Sequence, residues 1–154
     1  MDVASTESHV DMQSGLERFV AAQTPVFPDV VRELSSGHKT SHWMWFIFPQ
    51  IRGLGRSETA RYYAISSLEE ARAYAQHPLL GPRLQDCTAL VIASSAASLV
   101  AIFGPVDALK FCSCMTLFLE ATSTNEIFQH ALDRYCDGKR DQATLQLIGV
   151  SNHG

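Results

Sequence analysis

The sequence predicts an all-α fold, a compact single-domain bundle of about six to eight short helices. Apolar residues recur at helical spacing through most of the chain, and helix-start and helix-stop signals bracket those segments. Strand signals are weak, because apolar-polar alternation over four or more positions is rare. The 154 residues, 46% hydrophobic and 18% charged, suit one globular core. We expect a helical domain over residues 15–149, a flexible tail at 1–14 and a loose C-terminus at 150–154.

Two short amphipathic helices open the predicted domain. Leu16, Phe19 and Val20 fall at i, i+3 and i+4, and the helix that they predict stops near QTPVFP. A second helix begins around Pro28, which suits a first-turn position, and it ends at Gly37.

The aromatic segment WMWFIFPQI, residues 43–51, is the element whose type stays open. Its aromatic content fits a buried strand as well as a helix. In either case we expect its apolar middle, Met44 and Phe46 to Phe48, to lie in the core.

Local signals also place the helices in the middle of the chain. Ser67 opens a helix with capping-box spacing, and Pro78 ends it. A long helix with one apolar stripe follows over residues 79–95. A short helix then ends at Gly104. The next helix, residues 106–121, is apolar almost all round, so we expect it at the centre of the core.

Two further helices are predicted at the C-terminal end. Ser123 and Glu126 repeat the capping-box spacing and open a helix that ends near Gly138. A last short helix carries Leu145 and Ile148.

Charge and cysteine usage narrow the class of protein. A net charge of -4 argues against nucleic acid as a partner, because that binding depends on excess positive charge. We interpret the four cysteines as reduced thiols packed as small apolar groups, since no pair has metal or redox spacing. The first fourteen residues lack the features of a secretory signal, and charges interrupt every apolar window well before about 18 residues. We therefore expect a cytoplasmic protein with no membrane span.

Three blocks of the sequence carry a family resemblance. GHKTSHWMWFIFPQIRGLGRSETARYYAI, SLEEARAYAQHPLLGPRL and IFGPVDALKFCSCMTLF closely resemble the signature blocks of the bacterial domain-of-unknown-function family 1810, sometimes mislabelled calpastatin. The likeness keeps the same order from about Leu16 to about Ile148. It implies a compact, mainly helical single domain and no established activity. The family usually has serine or another small residue where this chain has Cys112 and Cys114, which argues against a shared cysteine nucleophile.

The stretch IRGLGRSE is the first candidate for a binding site. Gly53, Gly55 and the flanking Arg56 could form a turn whose backbone amides point at a phosphate, with Ser57 capping the helix behind it. The alternative is a tight turn that needs positive φ at both glycines. One turn can serve both purposes.

The aromatic segment supplies further candidates. In a helix, Trp43 and Trp45 lie about 200° apart, so at most one belongs to the core, and the other could stack on a ring-shaped ligand beside Gln50. His42 stands next to this wall and could act as a general base. The alternative for each of these residues is an ordinary core or boundary position. His38 and His42 are four apart, but Gly37 disfavours a metal-binding helix there.

The polar residues of helix 106–121 are the last candidates. Asp107 and Lys110 are three apart and can pair. Charged groups on a central helix need water or a partner, which predicts the polar wall of a pocket. The alternative is an exposed ion pair of little energetic value.

Two functional hypotheses follow from these candidates. In the first, HWMWFIFPQIRGLGRS and DALK form a pocket that binds or processes a nucleotide-like molecule carrying phosphate, such as ADP-ribose or an NAD derivative. His42 or Asp107 would be the acid-base group, and Lys110 or Arg56 would bind the anion. In the second, the aromatic segment is exposed and docks a partner protein or a second copy of the chain. Neither hypothesis identifies a cofactor, and we expect no metal.

Overall fold

The computed structural model describes residues 15–122 and 126–149, and this part of the chain is all-α. The predicted tails at 1–14 and 150–154 and the predicted cap Ser123 lie outside it. The helices are α1 (residues 15–23), α2 (Phe27–Ser36), α3 (Met44–Ile47), α4 (Glu58–Tyr62), α5 (Leu68–Gln76), α6 (Leu80–Ala93), α7 (Leu99–Thr122), α8 (Ile127–Tyr135) and α9 (Gln142–Ile148). No strand occurs in these residues. The all-α prediction is confirmed.

The long helix α7 forms the centre of the core, as its apolar sequence predicts. It packs against α5, α8 and α9, and Phe111, Met115 and Leu117 along it are fully buried. Gly104, with φ 83° and ψ 166°, interrupts the helix immediately before Pro105. The predicted boundary between two helical segments is therefore confirmed as a break inside α7.

Most helix ends follow the local signals. Gly37 ends α2 with φ 75°, and the Ser57 and Ser67 side chains accept hydrogen bonds from Ala60 N and Glu70 N, both at 3.1 Å. The predicted capping box at Ser67 is only half formed. The Glu70 carboxylate accepts instead from Ser66 N at 2.9 Å. At α8, the N-cap residue is Glu126, whose side chain makes no capping hydrogen bond.

The ambiguous segment 43–51 contains a short helix and then a single bridge. Helix α3 covers Met44–Ile47, and Ile51 forms an isolated parallel β-bridge with Ile65. Met44 and the three residues from Phe46 to Phe48 are buried, as predicted. The Phe48 ring lies 5.1 Å from the Phe111 ring in an edge-to-face contact, which joins the segment to α7.

The prediction of four reduced cysteines is wrong for one pair. Cys112 on α7 forms a disulfide with Cys136 at the end of α8, across 24 residues of sequence. Spacing along the chain did not reveal this pair, because the packing of α8 on α7 brings the two residues together. Cys87 and Cys114 are free and buried, and burial raises the pKa of the Cys87 thiol to about 12. The disulfide removes one argument for a reducing compartment.

Asp107 and Lys110 interrupt α7 as expected, but α7 is still apolar over most of its length. By length and composition alone this helix could cross a membrane, since its mean hydropathy reaches 1.5 over 18 residues. In the structure, 56% of that window is buried inside the protein, and Gly104 breaks the helix. This burial of α7 is typical of a core helix in a folded domain.

Candidate functional site

The loop from Arg52 to Ser57 is held in place at its base. Ile65 N donates to Gln50 O and Arg52 N donates to Ile65 O, both at 2.8 Å. Gly53 has φ 109°, as predicted, and a Cβ there would lie 3.0 Å from a methyl group of Leu147 on α9. The loop therefore lies against both the Ile51–Ile65 bridge and α9.

Gly55 is required for a different reason from the one predicted. Its φ is not positive, so the prediction of a left-handed conformation is wrong here. A Cβ at position 55 would instead lie 2.5 Å from the Cβ of Ala60 on α4. The glycine lets the loop pass directly over the first turn of α4, which brings Arg56 and Arg61 to the same surface.

An open groove of about 430 Å³ lies over this loop, and we call it the arginine groove. It is lined by Arg52, Gly53, Gly55, Arg56 and Arg61. None of the three guanidinium groups forms an ion pair or side-chain hydrogen bond with another residue in 15–122 or 126–149. Within the same ranges, the backbone N–H groups of residues 53–56 also have no protein acceptor. The groove thus presents several unused hydrogen-bond donors and three positive charges.

A second depression, the narrow cleft, adjoins the groove through Gly55. Four predicted ligand-binding residues meet there: Trp45, Gln50, Gly55 and Lys110. Met44, Phe48, Tyr63 and Ala64 are among its other walls. Its free volume is about 10 Å³, which is enough for about one water molecule. The four predicted residues lie together, but the space between them does not admit a nucleotide.

Asp107 lies between two lysines. Its Oδ2 atom is 3.0 Å from Lys39 Nζ, and its Oδ1 atom is 3.5 Å from Lys110 Nζ. The predicted pair of Asp107 and Lys110 is confirmed, and Lys39 is an additional partner. Because each carboxylate oxygen faces a lysine, Asp107 in this arrangement orients the two lysines. Lys110 Nζ also lies 5.4 Å from the centre of the Trp45 ring.

Trp43 lies in the core, away from both depressions. Its side chain is 1% exposed, and its Nε1 atom donates to Glu33 Oε1 at 3.1 Å. Trp43 therefore offers no face to a ligand, in contrast to its prediction as part of an aromatic wall. Trp45 is half-buried, so the expectation that at most one indole belongs to the core is confirmed.

Glu33 is a buried acid that organises the loop before α3. Burial alone would raise its pKa, but hydrogen bonds from the backbone N–H groups of Ser41 and Thr40 and from Trp43 lower the pKa to about 2. The Oε1 atom accepts all three bonds, while Oε2 is buried without a partner among the described residues. The charge on Glu33 is thus part of how this loop is folded.

His42 is exposed, and it has no hydrogen-bond or ion-pair partner among residues 15–122 and 126–149. Its predicted role as a general base has no positioning partner in this part of the chain. Ser57 caps α4, as predicted. No group of three His, Cys, Asp or Glu side chains in the described residues is placed to hold a metal ion.

Sequence reasoning missed Arg61 and Lys39. Arg61 follows Ser57 by four residues, so the cap and the short helix together set its position beside the glycine loop. That spacing was a usable signal. No such signal exists for Lys39, because its contact with Asp107 joins two elements that are distant in sequence.

Comparisons with known proteins agree on the fold and describe no activity. A family model described as "Protein of unknown function (DUF1810)" matches residues 13–148. The chain is also similar to the conserved hypothetical protein Rv1873 from Mycobacterium tuberculosis, known from a crystal structure at 1.38 Å. The two are 55% identical, with a TM-score of 0.86, and the match covers 88% of this chain and 97% of that one. No curated protein matches the chain. The resemblance inferred from the three sequence blocks is confirmed.

Proposed function

The chain belongs to the DUF1810 family of proteins of unknown function, and we propose that it binds a small, nucleotide-like molecule through its phosphate in the arginine groove. The observation that carries the proposal is the convergence of Arg52, Arg56 and Arg61 around a glycine loop, with no carboxylate partner in the described residues. Guanidinium groups match the oxygens of a phosphate in pairs of parallel hydrogen bonds.

The charge distribution supports an anion as the ligand. The whole chain has a net charge of -4, so a groove with three arginines that have no acidic partner among the described residues is an exception to the overall negative charge. Like charges that repel one another cost stability, and a bound anion relieves that cost. The unused backbone N–H groups of residues 53–56 can donate to the same anion.

The narrow cleft contributes one more cation. Lys110 lines the cleft, and the cleft shares Gly55 with the arginine groove. The cleft is too small for a ring, so any ring of the ligand must lie outside it. In the proposed complex, the ammonium group of Lys110 attracts the phosphate from the cleft. Asp107 and Trp45 hold the Lys110 side chain in position.

The test is a thermal-shift and calorimetric titration with inorganic pyrophosphate, ADP and ADP-ribose. At 100 times its dissociation constant, a ligand should add about 2.7 kcal/mol of stability. Arg56→Ala should weaken pyrophosphate binding by about tenfold, because a charge-assisted hydrogen bond is lost. Arg72→Ala is the matched control, since Arg72 is an exposed arginine on α5 outside the groove. If none of the three compounds binds, or if both variants lose affinity equally, the proposal is wrong.

A second candidate is self-association, and one observation favours it. The side chains of Val100, Val106 and Leu109 on α7 are 54%, 65% and 73% exposed. Exposed apolar residues grouped on one helix are typical of a contact surface. The predicted docking surface was the aromatic segment, but most of that segment is buried. Size-exclusion chromatography with light scattering would test this candidate, with Leu109→Lys expected to convert a dimer to a monomer.

A further inference from the structure

Tyr62 is an exposed aromatic residue beside the arginine groove. It is the last residue of α4 and follows Arg61, which lines the groove. The side chain is 60% exposed, although a tyrosine ring is largely apolar. Consecutive residues of a helix project about 100° apart, so Arg61 and Tyr62 leave α4 on adjacent faces. Neither the fold nor the phosphate contacts explain why the ring is outside the core.

The Tyr62 ring is held in place by its contact with a neighbouring ring that packs on the core. It packs edge-to-face on Tyr63, with ring centres 4.8 Å apart and an interplanar angle of 87°. Tyr63 in turn contacts the rings of Phe19 and Phe46, which belong to the core. The backbone is fixed as well, since Arg18 Nε donates to Tyr62 O at 2.8 Å. A ring fixed before binding loses little conformational freedom when a ligand stacks on it.

A surface depression of about 460 Å³ runs beside Tyr62, lined also by Glu58, Thr59 and Tyr63. Tyr63 is shared between this depression and the narrow cleft, and Gly55 is shared between the cleft and the arginine groove. Shared lining residues thus link the narrow cleft to each of the other two depressions, and we call these three depressions along α4 the band. Its positive end carries the arginines, and its other end carries an aromatic ring and a carboxylate that can accept from N–H groups.

We propose that Tyr62 stacks on the base of a nucleoside phosphate whose phosphates occupy the arginine groove. The inference rests on the proposed function and narrows it to ligands that carry a nucleobase. Stacking on an aromatic side chain tolerates any base, because every base has a π-face. Glu58 lines the depression beside Tyr62, so in the proposed complex its carboxylate would lie near the uncharged base and accept from its N–H groups.

The experiment compares ligands with and without a base. The dissociation constants of ADP, GDP, UDP and inorganic pyrophosphate are measured by calorimetry for the full chain and for Tyr62→Ala and Tyr62→Phe. Tyr62→Ala should weaken the three nucleotides roughly tenfold and leave pyrophosphate unchanged, while Tyr62→Phe keeps the ring and should bind like the parent. Thermal unfolding without ligand should be alike in all three proteins, since the ring is exposed.

The possible failures can be told apart. If pyrophosphate and the nucleotides bind and Tyr62→Ala weakens none of them, Tyr62 is not a stacking residue, although the arginine groove still binds phosphate. If Tyr62→Ala weakens pyrophosphate as much as the nucleotides, the residue acts through the fold of α4 and the inference is also overturned. If the parent protein binds neither pyrophosphate nor a nucleotide, the proposed function fails together with the inference.

Discussion

Gly55 and Ala60 approach so closely that a Cβ built on Gly55 would lie 2.5 Å from the Cβ of Ala60. Neither atom can rotate away, because a Cβ is fixed by its backbone. Gly55→Ala should therefore force the loop off α4 and lower the free energy of unfolding by about 2 kcal/mol, the usual cost of overpacking. Urea denaturation would measure this change. Arg56 and Arg61 should separate as the loop moves, so pyrophosphate affinity should fall as well.

Removing the opposing methyl group provides the control for Gly55→Ala. Ala60→Gly alone should cost about 1 kcal/mol, since glycine is a poor helix residue. In the double variant the clash is gone, so Gly55→Ala should cost almost nothing on that background. A purely additive result would show that the contact between positions 55 and 60 does not decide the loop position.

The stability of the protein should depend on the charge of Glu33. The folded pKa of Glu33 is about 2, below the ordinary value of 4.5. The stabilisation is therefore complete above pH 4.5 and is lost as the pH falls towards 2, by about 3 kcal/mol in all. Glu33→Gln should be about 3 kcal/mol less stable than the parent at pH 7 and nearly equal to it at pH 2.

Urea denaturation at several pH values would compare Glu33→Gln with Glu17→Gln, which alters an exposed acid. The exposed change should have little effect at any pH. A stability gap between Glu33→Gln and the parent that is the same at pH 7 and pH 2 would contradict the role of the charge.

The Cys112–Cys136 disulfide should stabilise the packing of α8 on α7. Closing a loop of this length, with a sequence separation of 24, restricts the unfolded chain and contributes about 3 kcal/mol. A reducing agent should lower the unfolding free energy of the parent by that amount. In Cys112→Ser the same agent should have no effect, because Cys136 has lost its partner and Cys87 and Cys114 are free in the parent. Equal unfolding curves for the oxidised and reduced parent protein would mean that the bridge does not form.

Asp107→Asn distinguishes a positioning role from a catalytic or binding role. The substitution removes the counter-charge of Lys39, whose side chain is 9% exposed, so stability should fall by about 2 kcal/mol. Lys110 keeps its charge and its contact with Trp45 while the cleft loses a negative charge, so the affinity for pyrophosphate should not fall. Thermal unfolding and calorimetry would measure the two effects. A large loss of affinity with unchanged stability would make Asp107 a direct ligand contact.

The sequence predicted those parts of the fold that depend on neighbouring residues. Gly37, Ser67 and Gly104 mark helix ends through their own backbone or side-chain chemistry, and each is found at the expected end or break. The disulfide was missed because Cys112 and Cys136 meet only after α7 and α8 have packed. Contacts between elements that are distant in sequence cannot be predicted from the spacing of neighbouring residues.

The candidate site was predicted in part for a similar reason. The glycine loop was identified from its own residues, and it does line the groove. The choice between two tryptophans could not be made from spacing, and the buried one, Trp43, was wrongly assigned to a ligand-facing wall. The Ser57 cap indicates where the helix of Arg61 and Tyr62 begins, but only the position of α4 in the fold places Arg61 at the groove and Tyr62 beside it.

The two tryptophans provide intrinsic fluorescence signals from two different environments in the protein. Trp43 is enclosed and hydrogen-bonded to Glu33, while Trp45 is half-buried with Lys110 above its ring. The chain contains only these two indoles, so Trp45→Phe and Trp43→Phe each leave a single emitter. The fluorescence of Trp43 follows the opening of the core, and the fluorescence of Trp45 follows events at the cleft. Unfolding and ligand binding can thus be observed separately in an unlabelled sample.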